Sequence, residues 1–409
     1  MSKDNSNFFE KKKIWSEVKD ELLDCYLVPY FTKMMSTGKP TLYVDCFAGK
    51  GKFDDGKLGS PLTALQSLGR SLDRCHVRKP AVEMKFIEPN HHKALNANIP
   101  IEHRTRCELI EGRFEDKITQ VLQNANLSNF KLNVFLYIDP YGIKALNASL
   151  FDSLAKACST AELLINLNSF GFIREACRIM KIIFREGQVE IFSDLEEYDS
   201  SVLDSIQKLN AIAGDNYWQE IIDKYSSGKI DGYKAEKKFS QKYKEHLRQS
   251  YKYVLDMPIR LKEGQHPKYR MVHATNHPDG CVLMANNMAK RTDRLVVEIQ
   301  DGGQLGLMPL TAENDIVSDD MLLTRVEAML ATTSDYVRLN EFLADFYNEN
   351  GVLCGISRLS SGKGGSALKT LEKNGYIDVQ RNPALTQNGK PSKFWQESKG
   401  NTLSLRKRK

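Results

Sequence analysis

Apolar residues recur at helical spacing over the first forty positions, where Ile14, Trp15, Val18, Leu22, Leu23, Tyr26 and Leu27 form one stripe. The period then shortens. Five β-rich runs follow, at residues 41–47, 84–88, 107–111, 132–138 and 161–167. The first four close on Gly49 and Gly51, on Pro89, on Gly112, and on Asp139-Pro140. Helix-like stretches separate most of them, at 62–72, 116–124 and 150–156. Such alternation predicts an α/β domain with a parallel sheet covered on both faces, and the nearly unbroken apolar runs agree. Residues 172–250 are charged and mostly helical, which predicts an inserted helical cap. Two later runs, 253–260 and 269–275, read as the last strands of the same sheet, with a helix over 280–290 after them.

The final segment has a pattern of its own. Residues 302–320, rich in Gly, Pro and acids, read as a linker, which divides the chain into a domain at 1–300, a linker at 301–330 and a domain at 331–409. Helices are expected over 339–350, stopped by Gly351, and over 357–374, stopped by Gly375. A hairpin would pair 376–380 with 392–396 across the turn-rich 382–391. Helix, helix, hairpin is the order of a winged-helix module, whose second helix commonly enters the DNA major groove. Here that helix region carries Arg358, Lys363, Lys369 and Lys373 as candidate nucleic-acid contacts. Winged helices also serve as protein contacts, so both partners stay open.

Composition narrows the class. A chain of 409 residues, 41% hydrophobic and 27% charged, has material for two or three domains and excludes collagen-like, disulfide-scaffold and wholly disordered proteins. No apolar run approaches the roughly 20 residues of a membrane helix. The polar start lacks a signal region. Eight scattered cysteines without a C-x-x-C pair read as reduced thiols, so the expectation is a cytoplasmic protein with no membrane partner. The net charge is +6, yet residues from Arg358 to Lys409 hold twelve Lys/Arg against three Asp/Glu, which leaves the rest mildly acidic. That distribution suits a polyanion-binding end, or a solvated tail.

In a parallel sheet, ligands bind beyond the carboxyl ends of the strands. The strongest signal there is Asp45-Cys46-Phe47-Ala48-Gly49-Lys50-Gly51. Closely spaced glycines let the backbone turn sharply, and an acid at the strand end fits a ligand with an ammonium and hydroxyls. A dinucleotide fingerprint fails at its last glycine, where Asp54 stands, and a phosphate loop fails at Leu58, where a hydroxyl is needed. An ordinary strand–turn glycine pair remains the plain alternative. The run resembles the first motif of class I S-adenosylmethionine-dependent methyltransferases, in the form D-x-F-x-G-x-G.

That resemblance implies a Rossmann-like sheet in which Asp45, Phe47, Gly49 and Gly51 hold S-adenosylmethionine and Glu88 accepts its ribose hydroxyls. It places Asp116, with Phe114, beside the adenine, although Arg113 stands where many relatives carry Asp. Asp139-Pro140-Tyr141-Gly142 is similar to the fourth motif of amino-methylating enzymes. There an acid and a prolyl-region carbonyl take hydrogen bonds from the target amine, and the aromatic ring stacks on the base. The second proline is absent here, and Pro-Tyr-Gly is also an ordinary turn. Asn166-Leu167-Asn168-Ser169-Phe170 gathers more polar and aromatic groups at the same edge. His277 reads as a base or a loop residue, and His91-His92 lacks the pattern of a metal site.

Together these segments, with Phe86-Ile87-Glu88-Pro89 and His273-Ala274-Thr275-Asn276-His277-Pro278, resemble the TcmP family, the three-Cys-motif partner proteins. The resemblance covers roughly residues 10–300. It implies a class I methyltransferase-like domain and a three-Cys-motif protein as partner, but no substrate. Two functions follow from the sequence: a methyltransferase acting on nucleic acid, or a non-catalytic nucleic-acid-binding or scaffold protein on a degenerate methyltransferase fold.

Overall fold

A computed structural model of the chain describes residues 9–75, 82–124, 132–140, 142–143, 146–185, 202–259, 267, 269–301, 317–362 and 365–408. The chain divides into two compact units, one chiefly the residues through Asn276, the other chiefly His277 onward.

The first unit opens with α1 (Ile14–Thr37), closed by Gly38 in the left-handed region, where φ is 68°. It continues through β1 (Thr41–Asp45), α2 (Ser60–Leu72), β2 (Val82–Glu88), α3 (His92–Asn98), β3 (Cys107–Glu111), α4 (Phe114–Asn124), β4 (Asn133–Ile138), α5 (Ala148–Ala157) and β5 (Thr160–Leu167). The helices α6 (Ser169–Ile179), α7 (Val202–Ala213), α8 (Trp218–Ser226) and α9 (Gly232–Leu247) precede β6 (Tyr253–Ile259) and β7 (Tyr269–Thr275). All seven strands form one sheet in the order β3-β2-β1-β4-β5-β7-β6. The first five pair in parallel, and β7 runs antiparallel to β5. This is a mostly parallel, Rossmann-like arrangement.

Strand alternation sorts the faces. Leu42 and Val44 of β1, with Val134, Leu136 and Ile138 of β4, join a core with Ile118, Val121, Phe151 and Leu154 of the helices on that side. Trp218 and Phe239 belong to the same core, so the helices from 202 to 247 extend the layer over the sheet. Phe172 stacks on Phe239 with ring centroids 4.0 Å apart. The opposite face carries Tyr43, Asp45, Phe135 and Tyr137. There α1 packs Tyr26 and Tyr30 on Phe135, at 5.8 and 5.2 Å, and Phe31 on Tyr43 at 6.1 Å. The strand order reverses between β1 and β4, and a crevice opens at such a switch point beyond the strands' carboxyl ends. Asp45 ends β1, and Asp139 follows directly on β4.

The second unit holds α10 (Pro278–Asp301), α11 (Asp319–Ala331), β8 (Val337–Arg338), α12 (Leu339–Asn350), a π-helical turn (Ser357–Ser361), α13 (Ala367–Lys373), β9 (Ile377–Asn382) and β10 (Thr402–Lys407). It begins before the boundary expected at 300 because α10 packs on α12, with Asn340 donating to Asp279 at 2.8 Å. The expected linker falls partly outside the described residues, and α11 occupies its latter part. The helix expected over 357–374 is two pieces, because the chain turns at Gly362 and Gly365, the latter at φ 115°. The second hairpin strand expected at 392–396 is not a strand. Its place is taken by β10, the middle of an antiparallel sheet in the order β8-β10-β9. Leu403 and Leu405 are fully buried, so alternation brings Arg406 and Lys407 into the sheet rather than into a solvated tail.

Candidate functional site

Asp45 ends β1 with no exposed surface. Its Oδ1 accepts the Phe47 amide at 3.2 Å, while Oδ2 is buried without a hydrogen-bond partner. Burial pushes the Asp45 carboxyl up to about 7, against the nearby Ser60 hydroxyl and the Phe47 amide, and the charges of Asp139 and Asp20 add to the rise. A buried acceptor left open is costly, and the Ser60 hydroxyl is the donor the chain brings near it.

Beyond Asp45 the chain turns through Gly49 and Gly51 at φ 62° and 76°, conformations that side chains rarely adopt. What each glycine admits is protein. A Cβ at Gly49 would lie 3.2 Å from the Phe9 ring, and one at Gly51 would lie 2.8 Å from Leu95. Phe9 is buried, sets its ring edge-on to His91 with centroids 4.9 Å apart, and accepts the Asp54 amide at 2.8 Å. Lys50 lies over the same ring at 4.8 Å. Lys12 extends the strap: its amide donates to Asp55 at 3.1 Å and its ammonium to the Leu58 carbonyl at 2.5 Å. The glycine loop thus lies beneath the chain's own amino-terminal segment, which no sequence period indicates.

Glu88, buried at the end of β2, holds three backbone amides. Oε2 accepts from Gly49 at 2.8 Å, and Oε1 from Asn90 at 2.7 Å and His91 at 2.8 Å. A carboxylate offers about four acceptor sites, so one on Oε2 stays open. Phe47 packs on Phe114, 5.4 Å between ring centroids, and Phe114 is buried in the core. Asp116 is exposed in the first turn of α4, where a negative charge suits the helix dipole.

At the end of β4, Asp139 is occupied. Lys19 of α1 donates to Oδ1 at 2.8 Å and to Oδ2 at 2.6 Å. Asn166, the penultimate residue of β5, donates to Oδ1 at 2.6 Å, and the Tyr137 hydroxyl to Oδ2 at 3.3 Å. Three donors, making four hydrogen bonds, fill the carboxylate. Pro140 is buried, and Tyr141 lies outside the described residues. Beside Lys19, Asp20 pairs with Lys12. Burial raises the Asp20 carboxyl to about 6, against the pull of Lys12 and Lys19. Ser16, Lys19, Leu23, Tyr26 and Tyr30 fall on one stripe of α1, Lys12 lies just before the helix at the same spacing, and all are buried. Two lysines on a buried stripe are the signal that would have found this pair.

Other candidates serve the scaffold. Asn168 caps α6 by accepting the Gly171 amide at 2.8 Å. Ser169 reaches Glu236, which also takes Arg270 Nε at 2.7 Å. His277 Nδ1 lies 3.3 Å from the Asp279 amide at the start of α10. Among the described residues no group of three or more His, Cys, Asp or Glu is placed to hold a metal ion, and no helix is long and apolar enough to cross a membrane.

In the second unit, Arg358 is tied to Asp319 at 2.6 Å and to the Val317 carbonyl at 2.7 Å. Lys369 donates to the Gly362 carbonyl at 2.6 Å. Lys373 is exposed, and Lys363 lies outside the described residues.

No family model matches the chain, and no curated protein matches it. Among solved structures it is similar to the plantazolicin methyltransferase BamL, crystallised with a triazolic desmethylPZN analogue and SAH, at 12% identity over 67% of this chain and 90% of that one, with a TM-score of 0.31.

Proposed function

We propose that the chain is a class I S-adenosylmethionine-dependent methyltransferase acting on nucleic acid, a member of the three-Cys-motif partner family that works with a three-Cys-motif protein in the cytoplasm. The observation that carries this reading is the open, fully buried Oδ2 of Asp45 at the switch point of the sheet. An acceptor there suits an ammonium, and the open site on Glu88 suits a hydroxyl, so the residues fit the cofactor. Asp45 would hold its ammonium and Glu88 its ribose; when bound, the cofactor would supply an electrophilic methyl group. Asp139 would receive the hydrogens of an exocyclic amine once the Lys19 ammonium has been displaced from it. The element order α11, β8, α12, α13, β9, β10 supports a winged-helix reading of the second unit, which would bring the nucleic acid.

Isothermal titration with S-adenosylmethionine is expected to give a micromolar Kd, and Asp45→Asn to weaken it about tenfold or more, as for a lost charged hydrogen bond. Transfer of tritiated methyl to DNA or RNA, with the partner present, tests the substrate. A second reading, a non-catalytic binding or scaffold protein on the same fold, is favoured by the Phe9 ring over Gly49 and by the filled Asp139. No cofactor heat with the intact protein, together with nucleic-acid binding indifferent to Asp139→Ala, would select it.

A further inference from the structure

From Arg358 onward the chain holds only three carboxylates, and arginines meet all of them. Arg381 clasps Glu372 at 2.8 and 2.9 Å. Arg406 and Arg408 share Asp378 at 3.4 and 2.8 Å. Arg338 reaches Glu397 at 3.1 Å, and the same oxygen takes the Leu403 amide at 3.1 Å. With Arg358 on Asp319, the arginines of this segment are engaged in ion pairs, and its surplus positive charge rests on lysines.

Three of those lysines, Lys390, Lys393 and Lys399, stand exposed on one connection, residues 383–401 between β9 and β10. The connection is ordered by its own bonds. Ser392 donates to the Ala384 carbonyl at 2.8 Å and Thr386 to the Lys390 carbonyl at 2.7 Å, which closes the tip. Ser398 and Asn401 exchange amide bonds at 3.1 and 2.9 Å around Lys399 and Gly400. Between the two turns Trp395 is buried, with the Arg381 guanidinium 5.2 Å over its ring and Arg381 Nε on the Phe394 carbonyl at 3.0 Å. The only acid of the connection, Glu397, is 3% exposed and paired.

We infer that this arm, not the helix α13, is the phosphate-binding surface of the protein, and that Lys390, Lys393 and Lys399 contact the backbone of a nucleic-acid duplex. The inference rests on the nucleic-acid half of the proposed function and not on its cofactor half. Lysines on a pinned arm deliver point charges with little ordering cost, because the backbone that carries them is already fixed. Contacts of this kind carry no sequence preference, and they register as salt dependence.

The test is fluorescence anisotropy of the full chain with labelled mixed-sequence DNA and RNA duplexes across a salt series. Each phosphate contact contributes about 0.9 to the slope of log K against log salt on B-DNA. Lys390→Ala/Lys393→Ala/Lys399→Ala should therefore lower the slope by about 2.7 and weaken binding roughly tenfold or more at low salt. Lys369→Ala/Lys373→Ala should change the slope by less than about one contact. All five side chains are surface or carbonyl-bonded, and equal melting temperatures confirm folding. An unchanged slope in the arm variant, a larger loss in the helix variant, or no duplex binding by the wild type overturns the inference. Equal binding to poly-glutamate would overturn it too, by assigning the arm to an acidic protein. Titration of S-adenosylmethionine into the arm variant is expected to match wild type; lack of cofactor heat in both would sink the methyltransferase reading and leave the arm standing.

Discussion

The ammonium of Lys19 bridges both carboxylate oxygens of Asp139, at 2.8 and 2.6 Å, and so joins the first helix to the end of the fourth strand. Both side chains are largely out of water, at 10% and 22% exposure, so neither charge is well served by solvent alone. Lys19→Met should destabilise the first unit by about 3 kcal/mol, because it leaves Asp139 charged and half-enclosed. Adding Asp139→Asn should recover much of that loss. Urea unfolding of the single and double variants measures both.

The buried carboxyls predict a pH dependence of stability. Asp45 and Asp20 titrate near 7 and near 6 in the folded protein, against an ordinary 3.8 for an aspartate. Between pH 4 and 7 the folded state holds protons that the unfolded state has released, so these two groups make stability fall as pH rises through that window, by a few kcal/mol in order of magnitude. Asp45→Asn should flatten the upper part of the fall. Chemical denaturation at pH 5, 6 and 7 gives the slopes.

The same carboxyl reports on its ligand. An ammonium bound at Oδ2 favours the ionised form, so binding of S-adenosylmethionine near pH 6 should release about one proton from Asp45. Titration calorimetry in two buffers of different ionisation enthalpy reads that proton directly. Asp45→Asn should abolish the buffer difference.

Phe9 covers the glycine turn, and its removal should be felt by whatever binds there. Phe9→Ala is expected to tighten S-adenosylmethionine binding at least severalfold, by clearing the ring from Gly49. Gly49→Ala should do the reverse: it places a methyl against that ring at a left-handed φ and destabilises the unit by about 1–2 kcal/mol. Calorimetry and thermal melting separate the two effects.

Deleting residues 402–409 should unfold the second unit instead of trimming a tail, because β10 lies between β8 and β9. Limited proteolysis is expected to degrade residues 317–401 in the truncated chain and to spare them in the intact one.

The strands and their carboxyl-end loops were legible because parallel strands are apolar runs with abrupt stops, so Asp45, Glu88 and Asp139 could be placed before any coordinates. Their partners were not. Lys12 and Lys19 lie outside the apolar stripe that marks the first helix in the sequence, although both share the 3–4 residue spacing of Leu23 and Tyr26. Phe9 precedes any periodic segment. In the second unit, Arg406 to Lys409 masked the alternation of Leu403 and Leu405 just before it, and the turn signals over 382–391 gave no hint that the returning strand starts ten residues later.

Glu88 draws amides from the loops after β1 and β2 onto a single carboxylate. It therefore works as a clasp, and a variant that opens the clasp would let both walls of the crevice drift apart. Alanine at this position would free the Gly49, Asn90 and His91 amides and also remove the acceptor proposed for the ribose, so weaker binding by Glu88→Ala would combine a loosened doorway with a lost sugar contact.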